Sequence, residues 1–172
     1  MSIMKFEDRT PRSIEQMVEY MKDEKKTDDG NGSKTESVFG IGVNPDAVVE
    51  EMQFVQDVYC KEDLAHPYVQ VILSFGRDID LPPSIIREIC MEIGQRLLTD
   101  ERQVYGAIHC QGTMNIHCHY MINYVGIDGT LYQQKHHVNH YKRLANEVLE
   151  KHGLNPIKLS RNPVELPFRI CI

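Results

Sequence analysis

Apolar residues recur every three to four positions in four stretches of this chain and alternate or run together in four others, predicting helices interleaved with strands. The first helix is announced by Thr10-Pro11 and by Ser13 with Gln16 three residues on, a capping-box pattern. It runs to about Asp23 on the stripe Ile14, Met17, Val18 and Met21, and Tyr20 falls at the stripe's edge, where a phenol can look into a cleft. A turn-rich loop over 27–35 leads to a short strand, Val38 to Val43. Asn44-Pro45 then opens a second helix, roughly 46–60, with Val48, Val49, Met52, Val55 and Val58 apolar. Tyr68 to Phe75 is β-rich enough for a central strand. Pro82-Pro83-Ser84 introduces a third helix to about Leu98, carrying Ile85, Ile86, Ile89, Ile93 and Leu97. Strands Gln103 to Cys110 and Ile116 to Val125 follow, adjacent enough to pair antiparallel, and Asp128-Gly129 turns toward a last helix over 138–151, stopped by Gly153 and Pro156. No repeat or low-complexity linker interrupts the pattern, so residues 1–172 read as one α/β or α+β domain, and the adjacent late strands point to antiparallel pairing.

Composition changes this picture little. With 172 residues, 41% hydrophobic and 26% charged, the chain lies outside the disordered and membrane classes and can bury a core without metal or disulfide staples. Any metal would then serve function rather than folding. No apolar run has membrane length, and MSIMKFEDRT lacks a signal-peptide profile, so a cytoplasmic protein is expected. Cysteines 60, 90, 110, 118 and 171 form no C-x-x-C pair and are odd in number, which fits free thiols in a reducing compartment. The net charge of −6 argues against a wholesale polyanion binder, yet it is uneven: residues 1–100 carry 11 Lys+Arg against 20 Asp+Glu, and residues 101–172 carry 8 against 5. Seven of the eight histidines also lie in that second part.

Those histidines hold the chemistry. In HCQGTMNIHCH, side-chain alternation points His117 and His119 to one face of a strand. A three-residue hairpin loop over 112–114 pairs residue 110 with 116 and sets His109 opposite His117 on that same face. The other face then holds Val104, Ile108, Cys110, Ile116, Cys118, Tyr120 and Ile122, a plausible core side on which the two cysteines are core thiols. Three neutral imidazoles can hold a divalent ion and leave coordination positions open, as a catalytic metal requires. His136, His137 and His140 fit a polar loop and helix start better than a ligand set.

With these residues in place, the sequence resembles the catalytic domain of a mobilization relaxase, within the histidine-hydrophobic-histidine single-strand DNA endonucleases. The resemblance covers about residues 10–160. It rests on AIHCQGTMNIHCHYMINYVGIDGT, on HYKRLANEVLEKHGL at 140–154, and on SIEQMVEYMKDEKKT at 13–27, similar to an N-terminal helix with a tyrosine shortly before a Lys-Thr. It implies a central antiparallel sheet of about five strands with packed helices, a divalent metal (Mn²⁺ or Mg²⁺) on His109, His117 and His119, and Tyr20 as the nucleophile on a DNA phosphodiester. Asn123 matches the family's asparagine, as a substrate contact or a structural hydrogen bond. Where many relatives place an acid two residues after the first histidine, this chain has Gln111, an amide that orients an imidazole but cannot accept the proton an acid could.

The function implied is nicking of one DNA strand at a plasmid or conjugative transfer origin through a tyrosyl 5′-phosphodiester, and rejoining. Single-stranded DNA and relaxosome accessory proteins are the partners it implies. Tyr132 and Tyr141 compete with Tyr20 for the nucleophile's place. Lys135, Lys142, Arg143 and Lys151 offer phosphate contacts, and Tyr124 and Tyr132 offer rings for base stacking. Two other readings stand beside this one: a relaxase-like DNA- or partner-binding module with weakened chemistry, and a three-histidine metalloenzyme that uses bound water.

Overall fold

A computed structural model describes residues 2–7, 13–23, 27, 37–61, 63–97, 101–110, 115–132 and 138–159. In chain order the elements are β1 (Ile3–Glu7), α1 (Ile14–Met21), β2 (Val38–Ile41), α2 (Val48–Val58), β3 (Tyr68–Ser74), α3 (Pro83–Arg96), β4 (Val104–His109), β5 (His117–Asn123) and α4 (Val138–Lys151). The strands form one antiparallel sheet in the order β1-β3-β5-β4-β2. The five strands agree with the expected α+β architecture. No described helix is long and apolar enough to cross a membrane.

Strand β1 was not legible as an element: its five residues are short, edge-placed and paired on one side only, against β3 from Ile3↔Ser74 to Glu7↔Gln70. The other elements lie where the pattern puts them, within a few residues. Ser13 caps α1, its hydroxyl accepting from the Gln16 amide while the Gln16 side chain accepts from the Ser13 amide, and Ile14, Met17, Val18 and Met21 are all buried. Helix α2 starts later than Asn44 suggests. The Asn44 side chain accepts from the Asp46 amide in a turn of its own, and Ala47 is the N-cap. Its inner face also differs: Val58 is 55% exposed, whereas the polar Gln56 is buried.

The sheet is covered on both faces, where the sequence suggested one core side. On one face α3 and α4 pack over Val71, Leu73, Val104, Ile108, Cys118, Tyr120 and Ile122. This is the predicted core side, and Cys118 lies within it; the four described cysteines are all free. On the other face α1 and α2 pack over Tyr105, Ala107 and Met121. Close packing needs glycine at Gly106 of β4, where a Cβ would overlap the buried Phe39 ring, and at Gly94 of α3, where it would press on Ile41, Phe39 and Tyr120. The histidines belong to the α1/α2 face, at the end of the β4–β5 pair.

Candidate metal centre

The register pairs His109 with His117 and Ala107 with His119, as side-chain parity requires, although the hairpin loop at 111–114 lies outside the described residues. His117 and His119 stand on the central strand and His109 on its neighbour, which turns three rings into one space. Ring centroids are 5.2 Å apart for His109 and His117, 4.6 Å for His109 and His119, and 4.9 Å for His117 and His119. One ligating nitrogen from each lies within 4.8 Å of the others. At that spacing the three residues can offer one nitrogen each to a single ion. His109 and His119 are 0% and 2% exposed, and His117 is half-buried at the rim.

Each ring is held from behind. His109 Nε2 is 3.1 Å from the carbonyl of Met21, one of the last carbonyls of α1, which have no partner inside the helix. His117 Nδ1 is 3.0 Å from the Asn115 carbonyl. A carbonyl only accepts, so both rings donate outward and turn the opposite nitrogen, Nδ1 of His109 and Nε2 of His117, to the cluster. The third partner was missed by sequence reasoning: Gln70 of β3 is 6% exposed with its side-chain amide 2.9 Å from His119 Nδ1. Its signal was a polar residue at an inward position of the apolar run YVQVILSF. The donor set, three imidazoles with outward-tied nitrogens, fits a divalent ion in an incomplete shell.

Tyr20, half-buried on the last turn of α1, stands against the cluster. Its ring centroid is 5.8 Å from that of His109 and 5.4 Å from that of His119, both edge-to-face. The edge of the α1 stripe therefore opens on the histidines.

A family model for the MobA/VirD2-like relaxase nuclease domain matches residues 20–154. The chain belongs to this relaxase family. The matched span begins at Tyr20 and contains all three histidines. Among solved structures, this relaxase is similar to one from a study of the molecular basis of vancomycin-resistance transfer in Staphylococcus aureus; identity is 14%, the TM-score is 0.44, and the match covers 94% of this chain and 76% of that one. Comparison with curated protein sequences gives no match.

Other residues singled out in the sequence lie elsewhere in the relaxase fold. Asn123 is four residues beyond His119 on β5, about 13 Å along the strand, and is fully buried. Its Nδ2 donates to the Met52 carbonyl and Gln103 Oε1, while its Oδ1 accepts from Gln56 Nε2 and the Val125 amide. These four bonds engage both ends of the Asn123 amide within the fold. Tyr132 is corrected as a stacking platform: it is 7% exposed and shares a 3.0 Å hydroxyl–hydroxyl hydrogen bond with Tyr141, which belongs to the α3/α4 core. That core lies across the sheet from the histidines, so neither phenol stands where Tyr20 does. Tyr124 follows β5 at the end away from His117, its ring 6.2 Å from that of Tyr132.

Lys142, Arg143 and Lys151 ride on α4, also across the sheet. Lys142 donates to the Lys158 carbonyl, and burial holds its ammonium below the ordinary lysine range. Lys151 pairs with Glu92 at 2.9 Å, and that ammonium is the main reason the Glu92 carboxyl lies below its usual range. His140 is on the same helix against Tyr141. Gln111, Lys135, His136 and His137 lie outside the described residues.

Proposed function

We propose that this relaxase nicks single-stranded DNA at the transfer origin of a mobile element by attack of Tyr20, with a divalent ion held by His109, His117 and His119. The observation that carries the reading is the placement of the Tyr20 ring 5.4–5.8 Å from two of three convergent histidines. A tyrosine with a pKa near 10 is a weak nucleophile at neutral pH, and a phosphodiester anion repels it. The ion, when bound, supplies positive charge at the phosphate oxygens and Lewis-acid stabilisation of the transition state. With three imidazole donors, Mn²⁺ or another imidazole-tolerant ion binds more tightly than Mg²⁺.

Tyr20 then forms a bond to phosphorus as the P–O3′ bond breaks. The phenol gives up its proton and the departing 3′-oxygen gains one, leaving a 5′-phosphotyrosyl ester and a 3′-hydroxyl. That ester stores the bond energy, so rejoining by the reverse attack needs no nucleotide cofactor. Helix α1 serves this chemistry twice: its last turn carries the phenol, and its Met21 carbonyl orients His109.

The DNA path follows the strand ends at the histidines rather than α4. Arg77, exposed beyond the end of β3, donates from Nε to Asn115 Oδ1 at 3.3 Å, and the Asn115 carbonyl is the one that holds His117. A guanidinium there can take a phosphate next to the one under attack. The acidic balance of the first hundred residues favours a second reading, a relaxase-like module that binds DNA or a partner without nicking. Incubation with a pool of single-stranded origin fragments and Mn²⁺, followed by denaturing electrophoresis, decides between them. A protein–DNA adduct that Tyr20→Phe abolishes, with metal affinity unchanged, supports the nickase. Metal and DNA binding without adduct selects the module.

A further inference from the structure

We propose that Gln70 is a positioning residue whose side-chain amide decides which nitrogen of His119 carries the proton, and so sets how tightly the metal centre holds its ion. The inference rests on the metal-centre reading above and extends it to a residue on a third strand.

Two of the three imidazoles have no choice of tautomer. The Met21 and Asn115 carbonyls accept and cannot donate, which fixes the protons of neutral His109 and His117 on the outward nitrogens. His119 differs. Gln70 pairs with Met121 in the β3–β5 register, so it lies diagonally across from His119 on the same sheet face, within reach of a long side chain. The group set 2.9 Å from Nδ1 is the amide nitrogen Nε2, a donor. An imidazole that accepts at Nδ1 carries its proton on Nε2, the nitrogen left for the ion. With that donor in place, Nε2–H of His119 faces the cluster.

Ligation through Nε2 needs no new residue. Half a turn of the Gln70 amide exchanges Nε2 for Oε1, which accepts Nδ1–H and leaves the Nε2 lone pair of His119 for the ion. A buried glutamine can serve both states because it carries donor and acceptor on one planar end. A carboxylate would hold only the loaded tautomer, and an aliphatic side chain would hold neither.

The direct test is long-range ¹H–¹⁵N NMR on chelator-treated protein, which reads the tautomer of His119 with no metal present. Wild type should show the Nε2–H form, and Gln70→Glu should show Nδ1–H. Mn²⁺ calorimetry should then find at least about tenfold tighter binding in Gln70→Glu and about tenfold weaker binding in Gln70→Leu, the range an outer hydrogen-bond partner commands. The added charge of glutamate acts in the same direction on affinity, so the metal-free spectrum is the decisive readout. A wild-type Nδ1–H signal overturns the proposal even if neither variant folds, as does Gln70→Glu with an unchanged tautomer. His117→Ala separates the two claims: if it loses Mn²⁺ binding while the Gln70 variants change nothing, the positioning role fails and the metal centre stands; if it keeps binding, the centre itself fails.

Discussion

Replacing Asn123 with alanine should unfold the protein at lower temperature without touching its chemistry. The substitution deletes all four side-chain hydrogen bonds that tie β5 to α2, to Gln103 before β4 and to the Val125 amide. Gln56 keeps a second bond, to the Pro67 carbonyl, so the clearest losses are the Val125 N–H and Gln103 Oε1. A buried group stripped of its partner costs about 1–3 kcal/mol, so these two together cost about 2–6 kcal/mol. For a chain of this length each kcal/mol lowers Tm by about 2–4 °C, which places the midpoint of the expected drop at about 12 °C. Differential scanning calorimetry measures the drop, and adduct formation is assayed well below both transitions. The folded variant should cleave within about twofold of wild type, because Asn123 lies about 13 Å along β5 from His119. A Tm within a degree of wild type together with lost cleavage would refute this reasoning and return Asn123 to the DNA.

His117→Ala should lower Mn²⁺ affinity by more than the 10–100-fold that an outer-shell loss costs, measured by calorimetry, because it removes a ligand outright. Gly106→Ala should destabilise the fold by about 1–3 kcal/mol or more, seen in urea denaturation, since the new methyl meets a Phe39 ring that is itself buried on the α3 side. Arg77→Ala should make the slope of log affinity against log salt shallower by about 0.7 on single strands, one phosphate contact, whereas Lys142→Ala with Arg143→Ala should leave the slope as it was. The reverse pattern would move the DNA to α4.

The three-histidine face was legible because two facts suffice for it: strand side chains alternate, and a short loop between His109 and His117 leaves little freedom in register. Tyr20 was legible for a similar reason, since a 3.6-residue period places it at the stripe's edge before any neighbour is known. What lay beyond the sequence was long-range. Periodicity shows which side of α4 is apolar but not which face of the sheet it covers, so the placement of Lys142, Arg143 and Lys151 across the sheet from the histidines could not be read in advance. Gln70 was hidden in an apolar run whose partner strand cannot be named from sequence. The saturation of Asn123 depends on Gln56 and Gln103, 67 and 20 residues away. Strand β1 is too short to show a period; it is held by pairing with β3 and by Met4, which is buried in the α3/α4 core.

The central claim is that one phenol, beside three convergent histidines, takes the DNA phosphate. Its most direct test is mass spectrometry of the protease-digested adduct formed with single-stranded DNA and Mn²⁺, locating the residue that bears the nucleotide. A single nucleotide-bearing peptide containing Tyr20, absent when metal is removed by chelation, is the predicted result. A nucleotide on Tyr124, Tyr132 or Tyr141, or cleavage that leaves no covalent link at all, would contradict the account.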